Sequence, residues 1–293
     1  ENFELGWEKA TFTALEGEDL MNPDFLSEEI NHSWFEYPNG ETSLHPTEGV
    51  TKPAFTGPKT GTNKKWEFLD EEKKYSWIKS PTFKGKACEV GPLAKYIVVY
   101  VKVKQGIIKE PTWAEKMMVD QIDAVSKVLG VPAHVWMCST VGRTAARGLD
   151  AQVAANLSQH FYNRLVENIK TGDTVVADTR KFDPNTWPKE AKGVGVLDAP
   201  RGGLGHWCVI KDGRVDNYQC IVPTTWNACP KTIAGEHGAY ESNMIDTKVK
   251  VADKPLEILK GIHSFDPCLA CATHLYNKKG EKIVSVNTDA LCK

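Results

Sequence analysis

No run of apolar residues in this 293-residue chain is long enough to cross a bilayer as a helix, which excludes a helical membrane span. A signal-peptide pattern is missing too, so work at a membrane or outside the cytoplasm would need something else to carry the chain there. Neither sign of charge is in surplus. The 36 Lys and Arg residues against 38 Asp and Glu leave a net charge of -2, which argues against a nucleic-acid partner. Internal repeats and low-complexity segments are absent. The glycine-rich stretch from Gly193 to Gly205 has no Gly-Lys-Ser/Thr behind it and no Gly-x-Gly-x-x-Gly opening a helix, so it is not a phosphate loop. The eight cysteines are Cys88, Cys138, Cys208, Cys220, Cys229, Cys268, Cys271 and Cys292. They are too scattered for the disulfide framework of a small secreted protein, and most are expected to be small buried hydrophobes. One close pair, Cys268 and Cys271, stands apart.

What remains is an ordinary globular composition, 41% hydrophobic and 25% charged, with room for one large domain or two smaller ones. Residues 1–80 read as a peripheral β- and loop-rich segment. Phe3, Leu5 and Trp7, then Phe12 and Leu15, suggest short strands, while Asn39-Gly40 and Gly57-Pro58 signal turns. The aromatic clusters Trp34-Phe35-x-Tyr37 and Tyr75-Ser76-Trp77 are expected to pack onto a helical core. Residues 81–274 should supply that core. From its β-branched residues alone, Tyr96 to Val103 reads as a strand. Met118, Ile122, Val125 and Leu129 recur at helical spacing before Gly130 and Pro132. A long helix follows, with Leu149, Val153, Leu157, Phe161, Leu165 and Ile169 at every fourth position up to Gly172, a stripe expected to face the core. Arg143 and Arg147, one turn apart at its start, suit a solvated or salt-bridged pair or the support of a buried carboxylate. After connecting residues 173–192, Cys208 to Asp216 reads as a hairpin on its Asp212-Gly213 turn, Tyr218 to Asn227 as a strand running into a loop, and Pro255 to Ile262 as a short helix. The fold class this implies is mainly α with β excursions (α+β).

The short helix delivers the chain to Ser264-Phe265-Asp266-Pro267-Cys268-Leu269-Ala270-Cys271-Ala272-Thr273-His274. Two thiols three residues apart can face one metal ion, and thiolate is a soft ligand for nickel, iron, zinc or copper. The histidine adds a third ligand or an anchor for a second ion. A redox dithiol is the first competitor, but such pairs usually open a helix after a strand, and no βα pattern precedes this one. Half a zinc site is the second, but no other Cys-x-x-Cys exists to close the tetrahedron.

Three motifs occur in order: Glu89-Val90-Gly91-Pro92-Leu93-Ala94, Asp198-Ala199-Pro200-Arg201-Gly202-x-Leu204-Gly205-His206-Trp207, and Asp266-Pro267-Cys268-Leu269-Ala270-Cys271-x-Thr273-His274. Together they resemble the large subunit of nickel–iron hydrogenases, most nearly the membrane-bound uptake type. Tyr75-Ser76-Trp77-Ile78-Lys79 and Val222-Pro223-Thr224-Thr225-Trp226-Asn227 extend the resemblance over essentially the whole chain. It implies the C-terminal half of that fold and the reversible heterolytic cleavage of H2 into a proton and a hydride equivalent. The implied cofactors are a nickel–iron centre held by four thiolates, with CN and CO ligands on iron, and a magnesium ion. Cys268 would be a terminal nickel ligand and the proton acceptor, and Cys271 would bridge nickel and iron. His274 and the backbone carbonyl of Cys220 would ligate magnesium, with Glu89 holding a water of its shell. Arg201 would stand over the metals, assisting cleavage, while Pro200, Thr224 and Asp266 help to enclose the diatomic ligands.

The same resemblance implies partners. Electrons would leave through an iron–sulfur small subunit, since the chain has no cluster motif of its own, and pass to a membrane cytochrome b. Co-export with that subunit would place the protein at the membrane on the periplasmic side. Leu275 to Lys293 would be an extension removed after His274 by a maturation protease, chaperones having delivered the metal, although Lys282 to Val286 could also be an ordinary C-terminal strand. The family's other two cysteines lie in an N-terminal Arg-x-Cys-Gly-x-Cys motif that is not found here. The chain, opening in mid-pattern at Glu1, is therefore expected to be a fragment, inactive alone. Asp198 stands where Glu is usual and Lys95 where Arg is usual. The family also favours a helix over residues 93–103, and that reading replaces the strand. Other readings are a hydrogenase working towards H2 production, a non-catalytic structural or quinone-binding relative of a respiratory complex, and a zinc-stabilised interaction module. Retention of Cys268, Cys271 and His274 speaks against the non-catalytic relative.

Overall fold

The structure, a computed structural model, describes residues 19–56, 72–180, 182–268, 272–276 and 282–287. The alternation expected from Phe3 to Leu15 and the Gly57-Pro58 turn lie outside the described residues. The chain divides into two compact units. One is helical and centred on residues 92–191; the other joins residues 15–91, 192–209 and 215–293.

In the helical unit, α1 (Pro92–Lys104), α2 (Trp113–Leu129), α3 (Ala133–Met137) and α4 (Thr140–Thr171) share one apolar cluster. The segment whose β-branched residues read as a strand is α1. Leu93, Tyr96, Ile97, Tyr100 and Val101 are buried, which is the spacing of one helix face. Tertiary partners decide it: the Tyr96 hydroxyl donates to Gln121 Oε1 at 2.8 Å and the Tyr100 hydroxyl to Asp123 Oδ1 at 2.8 Å, both on α2. Burial holds both phenols well above their usual pKa range. A capping box of Thr112 and Glu115 starts α2, and Gly130 in the left-handed conformation ends it. Lys95 on α1 pairs with Asp150 on α4 at 2.7 Å.

The stripe on α4 meets its expectation only in part. Val153 is buried and Leu149 and Leu157 pack against the cluster, but Phe161, Leu165 and Ile169 are 57 to 58% exposed. The reason is geometric. At 3.6 residues per turn, a repeat of four advances by about 40° at each step, so the stripe winds off the face it starts on. Near the start of α4, Arg143 is buried rather than solvated.

The second unit begins with a four-stranded sheet in the order β3-β1-β5-β6. Its strands are β1 (Leu26–Glu29), β3 (Ser43–Leu44), β5 (Ser80–Phe83) and β6 (Lys86–Ala87), with β1 and β5 antiparallel from Leu26↔Phe83 to Glu29↔Ser80. A small pair joins β2 (Phe35–Glu36) to β4 (Lys52–Pro53). The meander β7 (Glu190–Ala199), β8 (Gly202–Lys211) and β9 (Arg214–Ile221) carries the expected hairpin, with positive φ at both Asp212 and Gly213. Helices α5 (Pro223–Asn227), α6 (Ala239–Met244) and α7 (Leu256–His263) follow. Residues 223–227 were expected as a loop. Pro223 instead opens a helical turn at a position where its missing N–H costs nothing.

Leu20, Leu26, Trp207, Ile221 and Trp226 make the core of this unit, and the Trp207 indole donates to the Leu20 carbonyl at 2.9 Å. Among the early aromatics, Trp34, Phe55 and Trp77 pack edge-on or stacked against one another. The expectation that most cysteines are buried does not hold among the six described: only Cys229 is buried, and burial pushes its thiol up to about 12. Finally, β10 (Ala272–Tyr276) pairs antiparallel with β11 (Lys282–Asn287), His274 lying opposite Ser285. Among the described residues no helix is long and apolar enough to cross a membrane.

Candidate metal centre

The second unit brings the three sequence motifs together at one place. Asn227, at the end of α5, is 2% exposed and clasps the first motif from both sides. Its Oδ1 accepts from the Val90 N–H and its Nδ2 donates to the Val90 carbonyl, each at 2.9 Å. The backbone of Val90-Gly91 is thereby pinned as if by a neighbouring strand. The second motif crosses this loop at a pair of glycines. A Cβ on Gly202 would lie 2.5 Å from the Gly91 nitrogen, and Gly202 holds φ +125°, so both space and conformation require glycine there.

Arg201, next to that crossing, reaches the third motif. Its Nε donates to the Asp266 carbonyl at 3.0 Å and pairs with Asp266 Oδ2 at 3.0 Å. Both of these contacts use Nε, and the guanidinium carries four further N–H donors on its terminal nitrogens, a set suited to an anionic group. Asp266 itself has φ +55°, a left-handed conformation that aspartate tolerates better than most residues. Two contacts fix the approach to it: Phe265 is buried against the Tyr240 ring at 4.7 Å, and the Ser264 hydroxyl donates to the Gly261 carbonyl at 2.6 Å. One turn beyond, the Cys268 N–H donates to the buried Thr224 hydroxyl at 3.2 Å. The thiol of Cys268 is exposed and free.

The structure therefore gathers Arg201, Asp266, Thr224 and Cys268, with Glu89 one residue before the clasped Val90. Pro200 precedes Arg201 on the exposed side. Cys220 lies on β9, its described side-chain contact being His206 Nε2 at 3.8 Å, and His206 bonds in turn to the Tyr218 hydroxyl. Desolvation and then the Glu28 charge raise the Cys220 thiol above its ordinary range. Cys271 is outside the described residues, and for His274 only the backbone is described, in β10. Among the described residues no group of three or more His, Cys, Asp and Glu side chains could hold a metal ion. The donor that is described, an exposed thiol in a loop held by a cation and a hydroxyl, suits a soft metal.

Sequence reasoning did not single out Asn227 or the Gly91–Gly202 crossing. Asn227 was legible only as part of a motif, because its partner is 137 residues away.

Residues 9–274 match the profile of the nickel-dependent hydrogenase family. The chain is 47% identical over 270 residues to the uptake hydrogenase large subunit of Rhizobium leguminosarum bv. viciae, covering 92% of this chain and 43% of that one. To the hydrogenase-1 large chain of Escherichia coli K12 it is 42% identical over 269 residues, with the same coverage of each. Among solved structures, the [NiFeSe]-hydrogenase of Dm. baculatum superposes with a TM-score of 0.60 at 25% identity, over 84% of this chain and 44% of that one. The chain thus spans less than half the length of these relatives. Its three motifs are joined through Gly202 and Arg201, and its sequence matches over nearly all its length: it belongs to the nickel-dependent hydrogenase family.

Proposed function

We propose that this chain is part of a nickel-dependent hydrogenase large subunit that cleaves H2 reversibly and heterolytically. One observation supports this above the others: Arg201, Asp266, Thr224 and Cys268, from three separated motifs, are tied into one site by side-chain to backbone bonds. When bound, a nickel–iron centre supplies the acceptor for the hydride equivalent. Cys268 would be a terminal nickel ligand, and its sulfur takes up the proton. With Asp266 fixing its Nε, the terminal donors of Arg201 would face anionic groups at the metals. Thr224 accepts from the Cys268 N–H and keeps its own hydrogen to donate to a diatomic ligand, CN or CO, with Pro200 closing the same side. Cys271 would be a further thiolate holding the nickel–iron centre, and His274, the Cys220 carbonyl and Glu89 through water would serve a magnesium ion.

An iron–sulfur small subunit would take the electrons and pass them to a membrane cytochrome b, with the pair exported together to the periplasmic side. Residues 275–293 would be removed after His274 by a maturation protease. The test is the nickel and iron content of the chain purified from its source cells. Equal nickel and iron, with the chain ending at His274, supports the reading. Zinc, or no metal in a folded chain still carrying residues 275–293, overturns it. In the metal-loaded enzyme, Arg201→Lys should cut turnover strongly with the metals retained; near-normal turnover would remove Arg201 from the mechanism.

A further inference from the structure

Two thiols flank the Asn227 clasp in the second unit, and the proposed metal chemistry uses neither. Cys88 lies two residues before Val90, and Cys229 lies two residues after Asn227. The Asn227–Val90 bonds therefore draw their two segments together at one end. Two further bonds tie them beyond it. The Ala87 N–H donates to Glu236 Oε2 at 2.9 Å, and the Ser80 hydroxyl donates to the Pro230 carbonyl at 2.8 Å. Ser80 opens β5, the strand paired antiparallel with β6 just before Cys88. Each cysteine thus has a chain neighbour, Ala87 or Pro230, bonded into the surroundings of the other. The two differ in access. Cys88 is half-buried, its thiol donating weakly to the Lys86 carbonyl at 3.5 Å. Cys229 is fully buried, and a Cβ on Gly238 would lie 2.7 Å from its sulfur. Desolvation raises the Cys229 thiol most, followed by the charges of Glu241 and then of Cys88, so the two sulfurs lie within electrostatic reach.

We propose that Cys88 and Cys229 form a reversible disulfide that staples the first motif to the chain just beyond α5. The oxidant is a low-molecular-weight disulfide, R–S–S–R. The half-buried Cys88 sulfur attacks it first: the S–S bond breaks, a Cys88–S–S–R bond forms, and R–SH leaves with the Cys88 proton. Cys229 then attacks the Cys88 sulfur, and its proton departs with the second R–SH. The pair loses two electrons and two protons, and the small disulfide gains them. Only the weak thiol bond to the Lys86 carbonyl is given up. Burial and neighbouring acidic charge both oppose ionisation of Cys229. The reduced pair therefore lacks the thiolate stabilisation that makes some disulfides easy to reduce. Once closed, the bridge does covalently what Asn227 does by hydrogen bonds, holding the loop that carries Glu89. No metal takes part, and a chain that bound no nickel would form the same bridge.

The experiment equilibrates the full chain with oxidised glutathione, alkylates it with iodoacetamide and digests it without reduction for mass spectrometry. The expected result is a peptide pair joined through Cys88 and Cys229 in most of the chains, released by dithiothreitol. Cys229→Ala should trap glutathione on Cys88, because the resolving thiol is gone, and Cys88→Ala should leave Cys229 unmodified. The oxidised chain should melt about 5 °C or more above the reduced one, since the bridge closes a loop of about 140 residues. Either alanine variant should abolish that difference. Glutathione left on Cys88 in the unaltered chain, a bridge from either residue to a different cysteine, or two alkylated thiols would overturn the assignment. Should Cys229→Ala fail to fold, the unaltered chain and Cys88→Ala decide it by the same readouts.

Discussion

The two units of this chain are held together by different means. In the helical unit, Tyr96, Ile122, Met137 and Ala146 are completely buried in a cluster drawn from four helices that follow one another in sequence. Its cohesion is apolar burial, about 1.5–3 kcal/mol for each large side chain. In the other unit, polar side chains bridge long stretches of chain. Asn227 clasps Val90, Gln219 donates to the Gly49 carbonyl at 2.7 Å, the Ser80 hydroxyl donates to the Pro230 carbonyl at 2.8 Å, and Glu28 and Lys79 pair at 3.4 Å, each about 95% buried. Apolar packing tolerates substitution by degrees; a buried hydrogen bond either keeps both partners or leaves one stranded. The candidate metal site lies in the unit that uses the less forgiving means, which is what holding a loop at a fixed position requires.

The sharpest way to break this contrast is Lys79→Met. It leaves Glu28 buried without its cation and should cost about 4 kcal/mol in denaturant unfolding. The loss should depend on pH. Burial raises the Glu28 carboxyl above its ordinary range while Lys79 draws it back. A raised carboxyl binds its proton more tightly folded than unfolded, so its stabilising contribution is complete in acid and declines as pH rises through the folded value. Removing Lys79 raises that value further, so the variant should be hurt more at neutral pH than in acid. A pH-independent loss would assign the cost to packing alone.

Next, Ile122→Ala in the helical unit should cost about 3 kcal/mol through the cavity it leaves. Ile122→Val should cost about 1 kcal/mol, the graded response of an apolar core. Asn227→Ala should cost about 2 kcal/mol by stranding the Val90 N–H and carbonyl. Asn227→Asp should recover little, because a carboxylate accepts from the N–H but cannot donate to the carbonyl. Recovery by Asp would show that only one of the two bonds matters.

The smallest effect on stability is expected at the C-terminal hairpin, since an isolated pair of strands is marginal in water. Its interest is kinetic. The peptide bond after His274 lies in a paired strand, with Leu275 opposite Val284. A protease that takes its substrate extended must part β11 from β10 first. Val284→Pro removes a strand N–H and should speed the proposed cleavage after His274 while leaving the unfolding midpoint within error. Unchanged processing would mean that the hairpin does not gate it.

Much of this protein is legible in its residues alone. The hairpin at Asp212-Gly213 and the stop of α2 at Gly130 follow from local preferences, which act within a few residues. Tertiary structure decided the rest. It made a helix of Tyr96 to Val103, because α2 offered partners to Tyr96 and Tyr100. It split the stripe of α4 into a buried and an exposed half, because a repeat of four does not match a turn of 3.6 residues. And it gave Asn227 and Gly202 their roles, because a buried clasp and a close backbone crossing exist only once distant segments meet.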